Sequence, residues 1–179
     1  AYEFNKSMAQ AAKAAVEKSG KKVFVAGSIG PTGNFLRPLG DMPFDEMVAV
    51  FQEQVRGLVA GGVDLLIAET QFDIAEARAI VIAIRKETRL PIAVSMTYEE
   101  GVTLTGSDVQ VCVATLANMG VDIIATNCSA GPIEMQQAVA TLLATSPVPV
   151  LVQPNAGLPQ LDGDRTWFPL NPEDFSQLT

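Results

Sequence analysis

Short apolar runs alternate with longer amphipathic stretches along most of the chain. The short runs are continuous, which is typical of strands buried in a parallel sheet, and the long stretches repeat their apolar residues with the period of an α-helix. Helices are predicted over residues 8–17, 44–60, 74–87, 108–119 and 132–144, and strands over residues 22–28, 63–70, 92–97, 121–127 and 148–153. This alternation predicts a parallel sheet with right-handed crossover connections.

The residues at the ends of the predicted strands distinguish two architectures. In an open doubly wound sheet only the strands at the switch point need functional ends, whereas in a (β/α)8 barrel all strand ends face one mouth. Every predicted strand ends in polar or glycine-rich residues: Ser28 and Gly30, Glu69 and Thr70, Ser95 and Thr97, Asn127 and Cys128, and Gln153 and Asn155. We therefore expect an α/β fold that is a segment of a (β/α)8 TIM barrel, with an open doubly wound sheet as the alternative.

The length limits how much of a barrel the chain can form. A complete barrel takes about 250 residues and eight strands, whereas this chain has 179 residues, is 48% hydrophobic and contains no linker-like tract. We expect a single barrel domain over residues 1–179 that is incomplete at both ends. Its open edges would expose inner-face residues, among them Val23, Val25, Leu66 and Val94 or their immediate neighbours.

Several acidic residues have sequence contexts that indicate structural roles. Asp73 is predicted to cap the helix over residues 74–87, with Glu76 three residues later completing a capping box. Asp64 and Asp122 end two Gly-Val-Asp sequences in which a helix gives way to a strand. Features at that bottom face of a barrel serve stability, so we interpret both aspartates as hydrogen-bonding turn residues.

Composition and charge argue against several function classes. The net charge is −8 with 12 lysines and arginines, whereas a nucleic-acid partner requires a concentrated basic surface. No apolar run approaches the roughly 20 residues of a membrane span, and the two cysteines do not make a disulfide framework. We therefore expect a cytoplasmic protein with neither a nucleic-acid nor a membrane partner.

Cys128 is the first candidate for chemistry, because it stands where an apolar run ends and a helix begins. Core cysteines lie within apolar runs, as Cys112 does, and Cys112 is therefore interpreted as a core residue. A thiolate at a strand end can be a nucleophile or a zinc ligand. The sequence has no histidine and no cysteine besides these two, so further zinc ligands for Cys128 are expected outside this chain.

Other polar strand ends are candidates for binding a small molecule. Glu69 follows a buried apolar run, and no lysine or arginine stands at a predicted strand end to pair with it. Its partner is expected to be a cationic ligand group such as an ammonium, or else it caps a neighbouring loop. Asn155 can hydrogen-bond a carboxylate or cap its own turn. The loop over residues 28–33 is rich in glycine but lacks the lysine of a P-loop.

Several of these sequences, taken in their order along the chain, resemble the homocysteine S-methyltransferase family. The resemblance spans nearly the whole chain and is greatest to the homocysteine-binding modules of cobalamin-dependent methionine synthases. The sequences that carry it are Gly27-Ser28-Ile29-Gly30-Pro31-Thr32-Gly33, Glu69-Thr70 with Asp73, Leu104-Thr105-Gly106-Ser107-Asp108, Asn127-Cys128-Ser129-Ala130-Gly131-Pro132, Pro154-Asn155-Ala156-Gly157, and Trp167-Phe168-Pro169-Leu170 with Pro172.

The resemblance implies a (β/α)8 barrel of which this chain holds about strands three to seven. It implies that Cys128 binds zinc together with an adjacent cysteine pair in a Gly-Gly-Cys-Cys-Gly sequence, which this chain does not contain. Zinc would activate the homocysteine thiol, which would accept a methyl group from methylcobalamin on a separate module to give methionine. Glu69 would hold the substrate ammonium. The other implied substrate-binding residues are Ser28, Gly30, Asn127 and Asn155.

The implied partners are homocysteine and the corrinoid and folate modules of the same parent polypeptide. Because the chain has one of the three expected zinc thiolates, we expect it to be inactive alone. The alternatives are a non-enzymatic or degenerate barrel fragment with an inert Cys128 and a different α/β enzyme with an open doubly wound sheet.

Overall fold

Helices alternate with strands through most of the protein, which is seen in a computed structural model that describes residues 1–128 and 130–178. No helix in these two ranges is both long and apolar enough to cross a membrane. The helices are α1 (Tyr2–Ser19), α2 (Phe44–Ala60), α3 (Ile74–Glu87), α4 (Val109–Asn118), α5 (Pro132–Thr145) and α6 (Pro172–Leu178). The strands are β1 (Ala26–Ile29), β2 (Leu65–Gln71), β3 (Ile92–Met96), β4 (Ile123–Asn127), β5 (Val150–Gln153), β6 (Gln160–Asp162) and β7 (Arg165–Trp167).

Strands β1 to β5 form one parallel sheet whose spatial order equals their order along the chain. Sequential parallel neighbours joined by helices are the arrangement of a (β/α)8 barrel, whereas a doubly wound sheet reorders its strands about a switch point. The open-sheet alternative is therefore wrong, and the five strands form part of a barrel. Strands β6 and β7 pair with each other as a separate antiparallel hairpin.

The two faces of the five-stranded sheet differ in what covers them. A Cβ atom at Gly27 would lie 3.2 Å from a leucine side chain of α2, so the face that carries Gly27 is the helix-covered one. Leu66 and Val94 share that face through the strand register and are fully buried. The sequence predicted that these two residues or their immediate neighbours lie on the inner face, and it is the neighbours Ile67 and Ala93 that lie there, because successive side chains alternate between faces. The predicted exposure of these residues is wrong, since all four are buried.

Helices α2, α3 and α4 pack their apolar stripes against the outer face of the sheet. Burying a large apolar side chain stabilises a protein by about 1.5–3 kcal/mol, and this layer contains many such residues. It forms the core that holds the strand ends at fixed positions. Its largest fully buried helix side chains include Met47, Phe51, Ile80, Ile84 and Leu116.

Helices α3 and α4 begin at capping aspartates. Asp73 and Asp108 accept backbone N–H groups of their own helices at 2.9 and 2.7 Å. The predicted N-cap at Asp73 is therefore confirmed. The predicted capping box is wrong, because the Glu76 carboxylate accepts hydrogen bonds from Thr32 in the loop after β1.

Asp64 joins the starts of two neighbouring strands at the bottom of the sheet. Its Oδ2 atom accepts the Val25 N–H at 2.7 Å, and its carboxylate pairs with Lys13 of α1 at 3.0 Å. The hydrogen bond from Val25, followed by that from Lys13, holds the pKa of Asp64 below its ordinary value. These contacts support the structural interpretation of this aspartate.

Asp122 repeats this arrangement one pair of strands further along. Its Oδ2 atom accepts the Ile92 N–H at 2.8 Å and pairs with Arg85 of α3 at 3.0 Å. In both cases an aspartate before one strand accepts a backbone N–H at the start of the preceding strand, from Val25 just before β1 or from Ile92 in β3, and pairs with a cation on the helix before that strand. The bottom rim is therefore built for stability, as the sequence indicates.

Candidate functional site

The upper ends of the strands bring four predicted site residues to one edge of the sheet. Ser28 is in register with Ile67, two residues before Glu69, so both side chains lie on the inner face. Asn127 ends β4 at the same edge, and the half-exposed Cys128 follows it directly. Because the carboxyl ends of parallel strands meet at the barrel mouth, these residues form one candidate site.

Ser28 and Glu69 are in direct contact in this site. The Ser28 hydroxyl donates a hydrogen bond to Oε2 of Glu69 at 2.7 Å. None of the ion pairs formed within the described ranges includes Glu69. Its carboxylate is therefore oriented by a neutral donor and able to bind a cationic ligand group, and charge-assisted hydrogen bonds of that kind are stronger than neutral ones.

The Asn127 side chain connects the ends of three strands. Its Oδ1 atom accepts the Thr70 N–H at 3.2 Å and the Ser95 hydroxyl at 2.6 Å. Its Nδ2 atom donates to the Thr70 hydroxyl at 2.8 Å and to the Cys128 sulfur at 3.1 Å. The position of the thiol is thus linked to β2 and β3 as well as to its own strand.

Two residues of this network have left-handed backbone conformations. Thr70 has φ 59° and Cys128 has φ 55°. Such a conformation is uncommon for residues other than glycine, and for a β-branched residue such as threonine it is an outlier. Backbone strain of this kind persists only where the surroundings fix it, and it concentrates at functional sites.

Backbone hydrogen bonds place Asn155 beside the turn that follows β4. The Cys128 N–H donates to Gln153 O at 3.2 Å, and its carbonyl oxygen accepts the Ala130 N–H at 2.6 Å. The Asn155 N–H donates to Ala130 O at 3.1 Å. The backbone of Asn155 is therefore bonded to the same turn as the thiol, while Ser129 lies outside the described residues.

The loop after β1 is anchored to the first turn of α3. Glu76, which is 1% exposed, accepts the N–H and the hydroxyl of Thr32 at 2.7 and 2.8 Å. Burial raises the pKa of Glu76 above its ordinary value, although the two hydrogen bonds act in the opposite direction. The buried Gln71 donates to Ile29 O at 3.1 Å. Gly30 lies between these anchors, exposed, with open space where a side chain would be.

A family model described as homocysteine S-methyltransferase matches residues 1–179. The chain belongs to the homocysteine S-methyltransferase family. It is 33% identical over 162 residues to a methionine synthase of Mycobacterium leprae, and the matching region covers 87% of this chain and 13% of that protein. It is 33% identical over 163 residues to a methionine synthase of Mycobacterium tuberculosis, with 88% and 14% covered.

Solved structures of a homocysteine methyltransferase, MmuM from Escherichia coli, have the same fold as this family member. The apo form has a TM-score of 0.72 at 23% identity, with 88% of this chain and 62% of that chain covered. The metallated form has a TM-score of 0.70 at 23% identity, with 85% and 59% covered. The chain spans less than two thirds of the length of each of these relatives, which agrees with a partial barrel.

This member of the family has one thiol at the mouth, that of Cys128. Within residues 1–128 and 130–178, no group of three or more His, Cys, Asp or Glu side chains could hold a metal ion. Cys112 is fully buried, and burial raises the pKa of its thiol to about 11, as expected of a core residue. Cys128 is half-exposed and hydrogen-bonded at sulfur, which suits one ligand of a zinc site. A tetrahedral set needs further ligands from elsewhere.

Sequence reasoning missed Gln71 and gave Glu76 a different role, in a capping box, whereas both anchor the loop after β1. A sequence signal for Gln71 does exist, because three consecutive polar residues, Glu69-Thr70-Gln71, end an apolar strand. Such a run indicates that more than one of these side chains is hydrogen-bonded. No sequence signal indicates the Glu76 contact, because its partner Thr32 is 44 residues away along the chain.

Proposed function

We propose that this chain forms the homocysteine-binding part of a homocysteine S-methyltransferase, a barrel domain of which it comprises about strands three to seven of eight and lacks both ends. The observation that carries the proposal is the placement of two groups at one mouth. Glu69 is a carboxylate with no ion-pair partner within the described ranges, and Cys128 is a half-exposed thiol. Membership of the family supports the substrate class.

Homocysteine has an ammonium, a carboxylate and a thiol, and the mouth has a complement for each. Glu69 binds the ammonium, and the Ser28 hydroxyl at 2.7 Å keeps the carboxylate turned toward it. The exposed backbone at Gly30 and the amide of Asn155 bind the substrate carboxylate. With the two charged groups on its α-carbon held, the substrate extends its thiol, at the other end of the molecule, toward Cys128, and fixing a reacting group in this way reduces the entropy cost of reaction.

Zinc is the metal that the donor chemistry of Cys128 suits. A zinc ion supplies a charge that lowers the pKa of a coordinated thiol, so that homocysteine reacts as a thiolate at neutral pH. In this chain, Cys128 provides one sulfur ligand and Asn127 donates a hydrogen bond to it. The other two thiolates are proposed to lie outside the chain. The metallated form of MmuM supports a metal in this fold.

Methylcobalamin on a separate module is the proposed methyl donor: the homocysteine thiolate would form the new S–C bond to give methionine, and the electron pair of the broken Co–C bond would stay on the corrinoid as cob(I)alamin. The support is the similarity to two methionine synthases, of which this chain covers 13% and 14%. So large a remainder has room for other modules, and a corrinoid module and a folate module of one parent polypeptide are the proposed partners.

Replacement of Cys128 in the parent polypeptide tests this function. Cys128→Ser should abolish tight zinc binding and methionine formation, because it removes one of three soft ligands. Cys112→Ser is the matched control, since that thiol is buried in α4 and should leave both properties intact apart from some loss of stability. Zinc content by elemental analysis and methionine by mass spectrometry are the measurements. Full activity of Cys128→Ser would overturn the zinc assignment.

A further inference from the structure

The hydrogen-bonding capacity of Asn127 is completely used by the protein itself. An asparagine side chain has two donor hydrogens and an acceptor oxygen with two lone pairs. In Asn127 the donors go to the Thr70 hydroxyl and the Cys128 sulfur, and the acceptor receives Thr70 N–H and the Ser95 hydroxyl. The residue is 4% exposed. No capacity is left for a substrate atom unless one of these bonds breaks.

The orientation of the amide is fixed by its partners. The Thr70 backbone N–H can only donate, so the atom 3.2 Å from it is the amide oxygen. The nitrogen is consequently the atom 3.1 Å from the Cys128 sulfur. The thiol sulfur therefore accepts an N–H donor, which fixes its position relative to the amide without adding a charge.

The same amide contacts both residues that have strained backbones at the mouth. It binds Thr70 through its N–H and its hydroxyl and binds the side chain of Cys128, and these are the residues with φ 59° and 55°. A left-handed conformation of a residue other than glycine needs surrounding contacts to persist. The Asn127 side chain supplies such contacts to both Thr70, in β2, and Cys128, directly after β4.

We propose that Asn127 is a positioning residue: it holds Thr70 in its left-handed conformation and orients the Cys128 thiol, and it does not bind the substrate. This replaces the substrate-binding role that the sequence suggests for it. The inference rests on the proposed function in taking Cys128 as the thiol of the site. Its tests measure geometry and thiol reactivity, so their failure would leave the homocysteine proposal to the zinc and methionine assays.

The first test uses the unaltered 179-residue protein. Two-dimensional NMR reports the exchange of side-chain amide protons with water. Both Nδ2 protons of Asn127 should exchange at least about tenfold more slowly than those of the exposed Asn34. Exchange as fast as that of Asn34 would overturn the proposal, because the four hydrogen bonds would then not persist in solution.

The second test compares two substitutions that remove different contacts. Asn127→Asp keeps the acceptor for the Thr70 N–H and the Ser95 hydroxyl but loses both amide donors, the one to the Thr70 hydroxyl and the one to the Cys128 sulfur. The Thr70 hydroxyl can donate to the new carboxylate instead, whereas the sulfur is left without its N–H donor. In this variant the rate of Cys128 alkylation by iodoacetamide should differ from that of the parent by at least about threefold. NMR coupling constants should show that Thr70 keeps its positive φ. In Asn127→Ala the rate of Cys128 alkylation should also change, and in addition Thr70 should leave positive φ. Cys112 should stay unreactive in each variant, since it is fully buried in the folded protein.

Asn118→Asp is the matched control, because it also removes a side-chain N–H donor, at 2.7 Å from Ala114 O on an exposed part of α4. It should leave Thr70 and Cys128 unchanged. A Cys128 alkylation rate in Asn127→Asp within about threefold of both the parent and Asn118→Asp would overturn the proposal. If Asn127→Ala does not fold, the Asn127→Asp comparison and the exchange measurement decide.

Discussion

Replacing Glu69 by glutamine should weaken homocysteine binding without disturbing the fold. The Glu69 carboxylate accepts one hydrogen bond, from Ser28 at 2.7 Å, and has no ion-pair partner in the described part of the chain. A glutamine oxygen can accept the same bond, so the local structure should persist. What is lost is the charge that is proposed to bind the substrate ammonium. A hydrogen bond to a charged group contributes about 1.5–3 kcal/mol, which corresponds to roughly 10- to 150-fold in affinity.

Calorimetric titration of L-homocysteine into the zinc-loaded parent polypeptide measures this loss. The analogue 4-mercaptobutanoate keeps the thiol and the carboxylate but has no ammonium, so its affinity should be nearly equal for Glu69→Gln and the parent. Glu17→Gln, on the exposed last part of α1, is the control substitution. An affinity for homocysteine within about twofold of the parent, or an equal loss for both ligands, would refute the reasoning and make Glu69 structural.

Three further substitutions test the packing and the ionisable groups. Gly27→Ala should destabilise the fold by about 1–3 kcal/mol in urea unfolding, because the new Cβ would lie 2.9 Å from a leucine side chain of β2, whereas Gly30→Ala should be nearly neutral because nothing lies within 4 Å. The Val25 N–H lowers the pKa of Asp64, so the contribution of this carboxylate to stability is present above the unfolded pKa of 3.8 and is lost as pH falls through the folded pKa. Between about pH 6 and pH 3 the urea midpoint of unfolding should therefore fall less in Asp64→Asn than in the parent. Burial raises the pKa of Glu76, so the parent gains stability from this group as pH falls through its folded pKa. Glu76→Gln should remove that gain. Equal shifts of the urea midpoint in the two proteins between neutral pH and about pH 5 would contradict this.

Helix positions were the most readily predicted part of the fold. The bounds of α2 and α3 equal those expected from the sequence, because Pro43 and Gly61 flank the first and Asp73 caps the second. The start of β1 was predicted too early. Val23 and Phe24 are apolar but 51% and 71% exposed, since they precede the point at which β1 pairs with β2. Composition alone does not mark where pairing begins.

The facing of individual strand residues could not be predicted. A strand covered on both sides is apolar at every position, so the sequence carries no alternation from which to assign Leu66 or Val94 to a face. The hairpin of β6 and β7 escaped prediction for a different reason. Its residues are all exposed, so no buried stripe marks either strand.

The location of the candidate site was predictable, but its internal contacts were not. Polar strand ends in a parallel fold meet at one edge, which brought Ser28, Glu69 and Cys128 into one hypothesis. The partners of Asn127 depend on long-range pairing, since Thr70 is 57 residues away and Ser95 is 32 residues away along the chain. A residue that appeared from the sequence to be available to a ligand is therefore engaged by the protein.

The paired aspartates at the bottom rim divide the sheet into repeated modules. Each aspartate and its two partners form a clamp. The first clamp joins α1, β1 and β2 through Lys13, Val25 and Asp64, and the second joins α3, β3 and β4 through Arg85, Ile92 and Asp122. Each clamp spans a helix–strand–helix–strand unit, and neither clamp crosses the junction between β2 and α3. Circular permutation or chain splitting at that junction, near residues 72 and 73, would keep both clamps within intact modules. The same cut between β1 and α2, or between β3 and α4, would separate an aspartate from both of its partners.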